Sequence, residues 1–125
     1  MKFASVRLVT ADLDRLIAFY ARLTGVQPAR LAATFAEVRL PGGAVLAIST
    51  EDMIKQFNAG AAVAASNRSA IIEFEVDDVD AEHQRLGDSV AYAMPPTTMP
   101  WGNRSMLLRD PDGNVVNVFA RPAAA

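Results

Sequence analysis

At 125 residues, with 51% hydrophobic and 21% charged side chains, the chain has material for one buried core and is short for two domains. A net charge of −2 without any run of Lys or Arg gives no basic field for nucleic acid, and zero cysteine excludes disulfides, thiolate-held zinc and a cysteine nucleophile. No apolar stretch nears the roughly 20 residues that span a bilayer, and Arg7 and Asp12 interrupt any leader-like run, so a cytoplasmic protein without membrane or nucleic-acid partners is expected.

Residues 2–10 alternate around the β-formers Phe3, Val6, Leu8 and Val9, the pattern of a strand. Asp12 then caps a helix whose apolar residues Leu13, Leu16, Ile17, Tyr20 and Leu23 share one side. Gly25 closes that helix, because a residue without a Cβ takes the left-handed conformation at little cost. Residues 34–40 and 43–50 read as two strands joined by the Pro41-Gly42 turn. Met53, Ile54 and Phe57 fit one or two helical turns, and the small, Ala-rich residues up to 67 read as a connector.

The second half runs through the same order. Residues 69–76 form a strand, and Asp78 caps a helix carrying Val79, His83 and Leu86 that Gly87 closes. The stretch around 92–98 is broken by Pro95 and Pro96, which predicts an edge strand or a bulge. Residues 103–109 and 114–121 make a hairpin about Asp110-Pro111-Asp112-Gly113. Asp12-Leu13-Asp14 matches Asp78-Val79-Asp80, and Arg39-Leu40-Pro41-Gly42-Gly43 matches Arg109-Asp110-Pro111-Asp112-Gly113, at nearly the same offset. Two βαβββ units explain both: unit 1 over about 1–57, a connector over about 58–68 and unit 2 over about 69–122, within one domain 1–125.

Three stretches carry a resemblance: Val9-Thr10-Ala11-Asp12-Leu13-Asp14 with Phe19-Tyr20 and Gly25, then Pro100-Trp101-Gly102-Asn103-Arg104, then Arg109 through Asn114. On these the chain resembles the vicinal oxygen chelate superfamily, which holds glyoxalases, bleomycin-resistance proteins and extradiol dioxygenases. The resemblance covers nearly the whole chain. It implies an α+β fold in which two tandem βαβββ units form a curled mixed sheet around a ligand cup, with helices on the outer face, and it implies a homodimer. In metal-dependent members, ligands stand seven residues before each helix-capping acid and four beyond each turn glycine. Those positions here are Ser5, Ile71, Ala47 and Asn117. A divalent cation takes His nitrogen and carboxylate oxygen. This set offers one weak amide carbonyl, the neighbours Ala4, Val6, Leu46 and Ile48 are apolar, and His83 belongs to an outer helix. The expectation is no metal ligand set and no other cofactor.

Strand alternation then assigns the faces. Phe3, Ser5 and Arg7 point inward, with Ala4, Val6 and Leu8 under the helix; Phe35, Glu37 and Arg39 oppose Ala36, Val38 and Leu40. Ile71, Glu73 and Glu75 oppose Ile72, Phe74 and Val76; Val115, Asn117 and Phe119 oppose Val116 and Val118. The ligand-binding candidates are Ser5, Arg7, Phe35, Glu37, Glu73, Trp101, Arg104, Asn117 and Phe119. Each has a plain structural alternative. Arg7 could pair with Glu73 or Glu75, Trp101 could plug the barrel end or pack in the dimer interface instead of stacking on a planar ligand, and Arg104 and Arg109 could bind an anionic ligand group or tie down the turn acids. Tyr92, Met99, Met53 and Phe57 read as core before they read as a ligand wall, and Asp12 and Asp78 as helix caps.

The leading functional expectation is a metal-independent protein of the bleomycin-resistance type that binds a planar or cationic organic compound, an antibiotic for example, without catalysis. The alternative is a metal-independent isomerase, cyclase or lyase, with Glu73 as general base and Arg7 steering an oxyanion.

Overall fold

In the computed structural model, which describes residues 1–123, the chain divides between Ser66 and Asn67 into two units, each built on a four-stranded mixed sheet. Unit 1 runs β1 (Ser5–Thr10), α1 (Leu13–Thr24), β2 (Ala29–Ala32), β3 (Phe35–Val38), β4 (Val45–Thr50) and α2 (Glu51–Phe57). Its strands are ordered β1-β4-β3-β2, with β1 parallel to β4 and the other pairs antiparallel. Unit 2 runs β5 (Ile71–Glu75), α3 (Val79–Leu86), a 3₁₀ turn at Gly87–Ser89, β6 (Ala91–Thr98), β7 (Arg104–Arg109) and β8 (Val115–Ala120). Its order, β5-β8-β7-β6, repeats that of unit 1. Neither sheet closes on itself. Among the described residues no helix is long and apolar enough to cross a membrane.

Helices α1 and α3 start and stop where the chemistry of their ends requires. The Asp12 carboxylate accepts from the Arg15 N–H at 3.1 Å, and the Asp78 carboxylate from the Ala81 N–H at 3.0 Å, each filling a donor that the helix cannot satisfy itself. Gly25, at φ 72°, ends α1 by donating its N–H to the Ala21 carbonyl. Helix α1 packs on β3 and β4, and its Leu16, Tyr20 and Leu23 are buried with Ala36, Val38, Leu46 and Ile48. Helix α3 packs on β6, β7 and β8, over Met106, Leu108, Val116 and Val118. Each fully buried aliphatic side chain contributes about 1.5–3 kcal/mol.

The edge strands explain where the expected core differs. Val6, expected beneath α1, is 44% exposed, because β1 is an edge strand and α1 lies over its interior neighbours. Ile72, Phe74 and Val76 are half-buried for the same reason, β5 being the edge that α3 does not cover. The opening strand is also shorter than residues 2–10: it begins at Ser5, and Phe3 is 78% exposed.

Strand β2 has no counterpart among the elements expected from the sequence. Ala-Arg-Leu-Ala holds no β-branched residue, all four residues are exposed, and the pairing to β3 slips between Arg30 and Ala32. Backbone bonds to β3 and an ion pair from Arg30 to Asp14 of α1 hold it. The expected irregularity of β6 is present: it is an edge strand whose register shifts between Tyr92 and Met94 and again before Thr97, around Pro95 and Pro96.

Beyond α2 the chain is fastened at two points. The Ala64 N–H donates to Glu51 Oε2 at 2.6 Å, and Arg7 Nη2 donates to Asn58 Oδ1 at 3.0 Å. The Ala64 hydrogen bond, with help from Lys55, holds the Glu51 carboxyl below its ordinary pKa. Ala59 and Ala65 adopt φ 56° and 55°, a left-handed conformation that costs a residue with a Cβ about 1–2 kcal/mol.

Candidate functional site

Each sheet has one face under its unit's first helix, and strand alternation sends the remaining side chains to the other face. In unit 1 the register lines up Arg7, Ala47 and Glu37 across β1, β4 and β3. Alanine leaves the two charged side chains separated by a small residue. Neither charge is bare. Arg7 donates to Asn58, and Glu37 accepts from Arg39 Nη2 at 3.1 Å. Helix α2 packs against β4 and β1, and both faces of β4 are buried, Ala47 and Ser49 included. Among the described residues the buried Ser49 Oγ has no hydrogen-bond partner. Ser5 is exposed on β1, and Phe35 is half-buried on β3 beside Ser49.

In unit 2 the face away from α3 carries the row Glu73, Asn117, Leu107 and Met94 across β5, β8, β7 and β6. Asn117 Nδ2 donates to Glu73 Oε2 at 2.8 Å. Its other end, Oδ1, is buried, and among the described residues it has no hydrogen-bond partner. An unmet buried acceptor costs about 1–3 kcal/mol. Phe119, one row along, is half-buried beside Glu75, and the Arg121 guanidinium lies 5.7 Å from the centre of its ring. Glu75 itself pairs with Arg121 at 3.3 Å. An exposed carboxylate, an amide with one open end, and half-buried Leu107, Met94 and Phe119 thus share one surface.

Within their own units the charges of Arg7, Glu73 and Glu75 are met. Each takes a partner from its own unit: Asn58, Asn117 and Arg121 respectively. Arg104 lies with Met106 and Leu108 on the α3 side of β7, so the structure separates it from the Glu73 face. Its Nε and Nη2 both reach the Asp80 carboxylate at 2.8 Å, and Nη1 reaches Thr98 Oγ1 at 3.1 Å. It therefore ties α3 to the sheet and not to the turn acids. The Arg104 hydrogen bonds hold the Asp80 carboxyl below its ordinary value, and the same bonds raise the guanidinium. Arg109 does tie the 110–113 turn, donating to the Gly113 carbonyl at 3.3 Å.

Trp101 is 70% exposed, so it plugs nothing within unit 2. Its loop is rigid: the Met99 N–H bonds the Asn103 carbonyl at 2.7 Å and the Gly102 N–H bonds the Met99 carbonyl at 2.9 Å. Gly102, at φ 100°, sits so close to Pro122 that an added Cβ would come within 3.3 Å of its ring. The indole projects from this hydrogen-bonded turn into solvent. Tyr92 is structural, its hydroxyl donating to the Gly87 carbonyl at 2.7 Å with burial raising its pKa, and His83 packs edge-on against its ring at 5.0 Å.

The partners Asn58 and Arg121 were not singled out by sequence reasoning. Arg39, two residues beyond Glu37 on one strand face, was placed there, and that spacing was a signal for their pairing. Asn58, by contrast, lies 51 residues from Arg7 with no local pattern to link them.

The residues at Ser5, Ala47, Ile71 and Asn117 do not fit a divalent cation, since hydroxyl, methyl, alkyl and amide groups supply no strong ligand. Among the described residues no three His, Cys, Asp or Glu side chains gather where a metal ion could be held.

The Glyoxalase/Bleomycin resistance protein/Dioxygenase superfamily model matches residues 2–118. The chain belongs to this superfamily. Solved structures similar to this superfamily member include a glyoxalase/bleomycin resistance protein/dioxygenase from Nocardioides, 24% identical with TM-score 0.80, covering 100% of this chain and 86% of that one. A glyoxalase-related enzyme from Fulvimarina pelagi is 22% identical with TM-score 0.81, covering 99% and 93%. A protein of unknown function from Agrobacterium tumefaciens is 24% identical with TM-score 0.80, covering 96% and 94%. At these identities the likeness is one of fold. No curated protein matches the chain in sequence.

Proposed function

We propose that this superfamily member acts in the cytoplasm as a metal-independent binding protein for a small organic compound, planar or cationic, which it holds without turning over. The observation that carries this reading is the Glu73–Asn117 pair set among Leu107, Met94 and Phe119 on the face that α3 leaves uncovered. A few polar groups on an apolar surface give a ligand orientation and affinity together. The weak donors at the family's metal positions support independence from metal. The exposed Trp101 supports a planar partner, because an indole face stacks on flat rings. A general base works best enclosed among apolar groups. Glu73 is exposed, which favours binding over base catalysis.

A thermal-shift panel of divalent metals, aromatic amines and amidines, planar antibiotics and small keto acids tests it. A ligand at 100 times its Kd adds about 2.7 kcal/mol of stability. The expected result is a rise with an organic cation or planar compound and none with Mn²⁺, Ni²⁺, Zn²⁺ or Fe²⁺. A reproducible rise with one metal, or turnover that Glu73→Gln abolishes, overturns it.

A further inference from the structure

Resting on the binding reading above, we infer that the Glu73–Asn117 pair selects ligands by their N–H groups, taking an amidinium, guanidinium or primary ammonium and rejecting a cation that has no N–H. The two acceptors differ in how they are met. Glu73 is exposed, with one oxygen engaged by Asn117 Nδ2 at 2.8 Å, so its carboxylate is reachable from solvent. Asn117 Oδ1 is covered and has no partner among the described residues. A ligand therefore arrives through the carboxylate.

A cation with two or more N–H donors replaces the amide at Glu73 and bonds the carboxylate directly, a charge-assisted contact stronger than the one it displaces. The freed amide turns about its Cβ–Cγ bond and offers Oδ1 to a second ligand N–H. That turn pairs Oδ1 with the ligand and carries Nδ2 away from Glu73, so one amide hydrogen bond is exchanged for another while the ligand gains a second contact that a cation without N–H cannot make. A quaternary ammonium brings the same charge to Glu73 and nothing to Oδ1. Leu107, beside Asn117 in the adjoining strand, and Phe119, one row along, present apolar surface on which a flat ring attached to the cation can lie. The small size of an amide matters here. Leucine at 117 would keep the branched shape and lose both the donor and the acceptor, and glutamate would add a second negative charge beside Glu73.

The experiment is a ¹⁵N-labelled titration of the full chain with benzamidine, phenyltrimethylammonium and benzoate, following the Asn117 side-chain NH₂ signals. Benzamidine is expected to move those signals saturably and to bind about tenfold tighter than phenyltrimethylammonium, the ratio one added hydrogen bond gives. Benzoate is expected to leave them in place. Asn117→Leu is expected to narrow the gap between the two cations without closing it, because benzamidine keeps its hydrogen bond to Glu73. Equal binding of both cations by the unsubstituted protein, or benzamidine binding that leaves Asn117 unmoved, overturns the inference, and neither result depends on a variant folding. If other panel compounds bind saturably while Asn117 stays unmoved, the inference fails and the binding reading stands. If no organic compound binds, both fail.

Discussion

Asp110 shows how a buried acid is explained by the backbone around it. It is 4% exposed, its Oδ1 accepts from the N–H groups of Asp112 and Asn114 at 2.9 and 3.0 Å, and its Oδ2 accepts from Asn114 Nδ2 at 2.8 Å. Asp110→Ala strands three donors, at least one of them buried, and is expected to cost about 2–4 kcal/mol, read as the loss in denaturant unfolding free energy. A cost below about 1 kcal/mol shows that water replaces the carboxylate and that the turn does not depend on it. This motif was legible because its spacing is local: four residues set the turn whatever surrounds them. Arg104 was not legible in the same way. Its partner, Asp80, lies 24 residues earlier, and either the turn acids or a ligand suited its charge equally well on the page. The sequence placed an arginine near the turn, and only the packing of α3 on β7 settles which acid it meets.

At the scale of elements the two units answer the same physical demands. Asp12→Ala and Asp78→Ala each remove one N-cap acceptor, so each is expected to cost about 0.5–2 kcal/mol, with Asn at either position restoring most of it. Circular dichroism melts of the four variants check this. Unequal rescue by Asn would show that one aspartate does more than cap. The caps, Gly25 and the α1 stripe were readable because each is a short-range pattern. Strand β2 escaped because nothing in Ala-Arg-Leu-Ala announces a strand, and only pairing with β3 makes it one.

The fastening of the chain beyond α2 carries a pH dependence. The Ala64 N–H and Lys55 lower the folded pKa of Glu51, so its contribution is present above the ordinary glutamate value and is lost as pH falls through the lower folded value. Hydrogen exchange at Ala64 is therefore expected to be protected at neutral pH beyond what its intrinsic rate gives. That protection should fall in acid and be weak at every pH in Glu51→Ala, which removes the acceptor. Protection unchanged by the substitution would assign the hold to Arg7 and Asn58 instead.

At the scale of the whole molecule, the edge strands β1 and β5 bring apolar side chains to solvent. Phe3 is 78% exposed just before β1, Val6 44% on it, and Ile71 54% at the start of β5. Apolar side chains on strand edges invite association, and most edges are guarded by charge or proline, as Pro95 and Pro96 guard β6. Superfamily membership and these exposed apolar side chains together lead us to expect a homodimer of the 13.4 kDa chain. Light scattering across a dilution series is expected to give twice the chain mass at micromolar concentration, and Ile71→Asp to shift the series toward monomer. Because Ile71 is exposed within its own unit, that substitution should change monomer stability by no more than about 0.5 kcal/mol. A monomer at every concentration would leave β1 and β5 facing something else, and a dimer that Ile71→Asp does not weaken would place the interface away from β5. The same series run with benzamidine present separates the two uses of this surface. Binding that tightens the dimer means that ligand and partner copy share the Glu73 face, and binding that leaves the mass unchanged means that unit 2 holds its ligand alone.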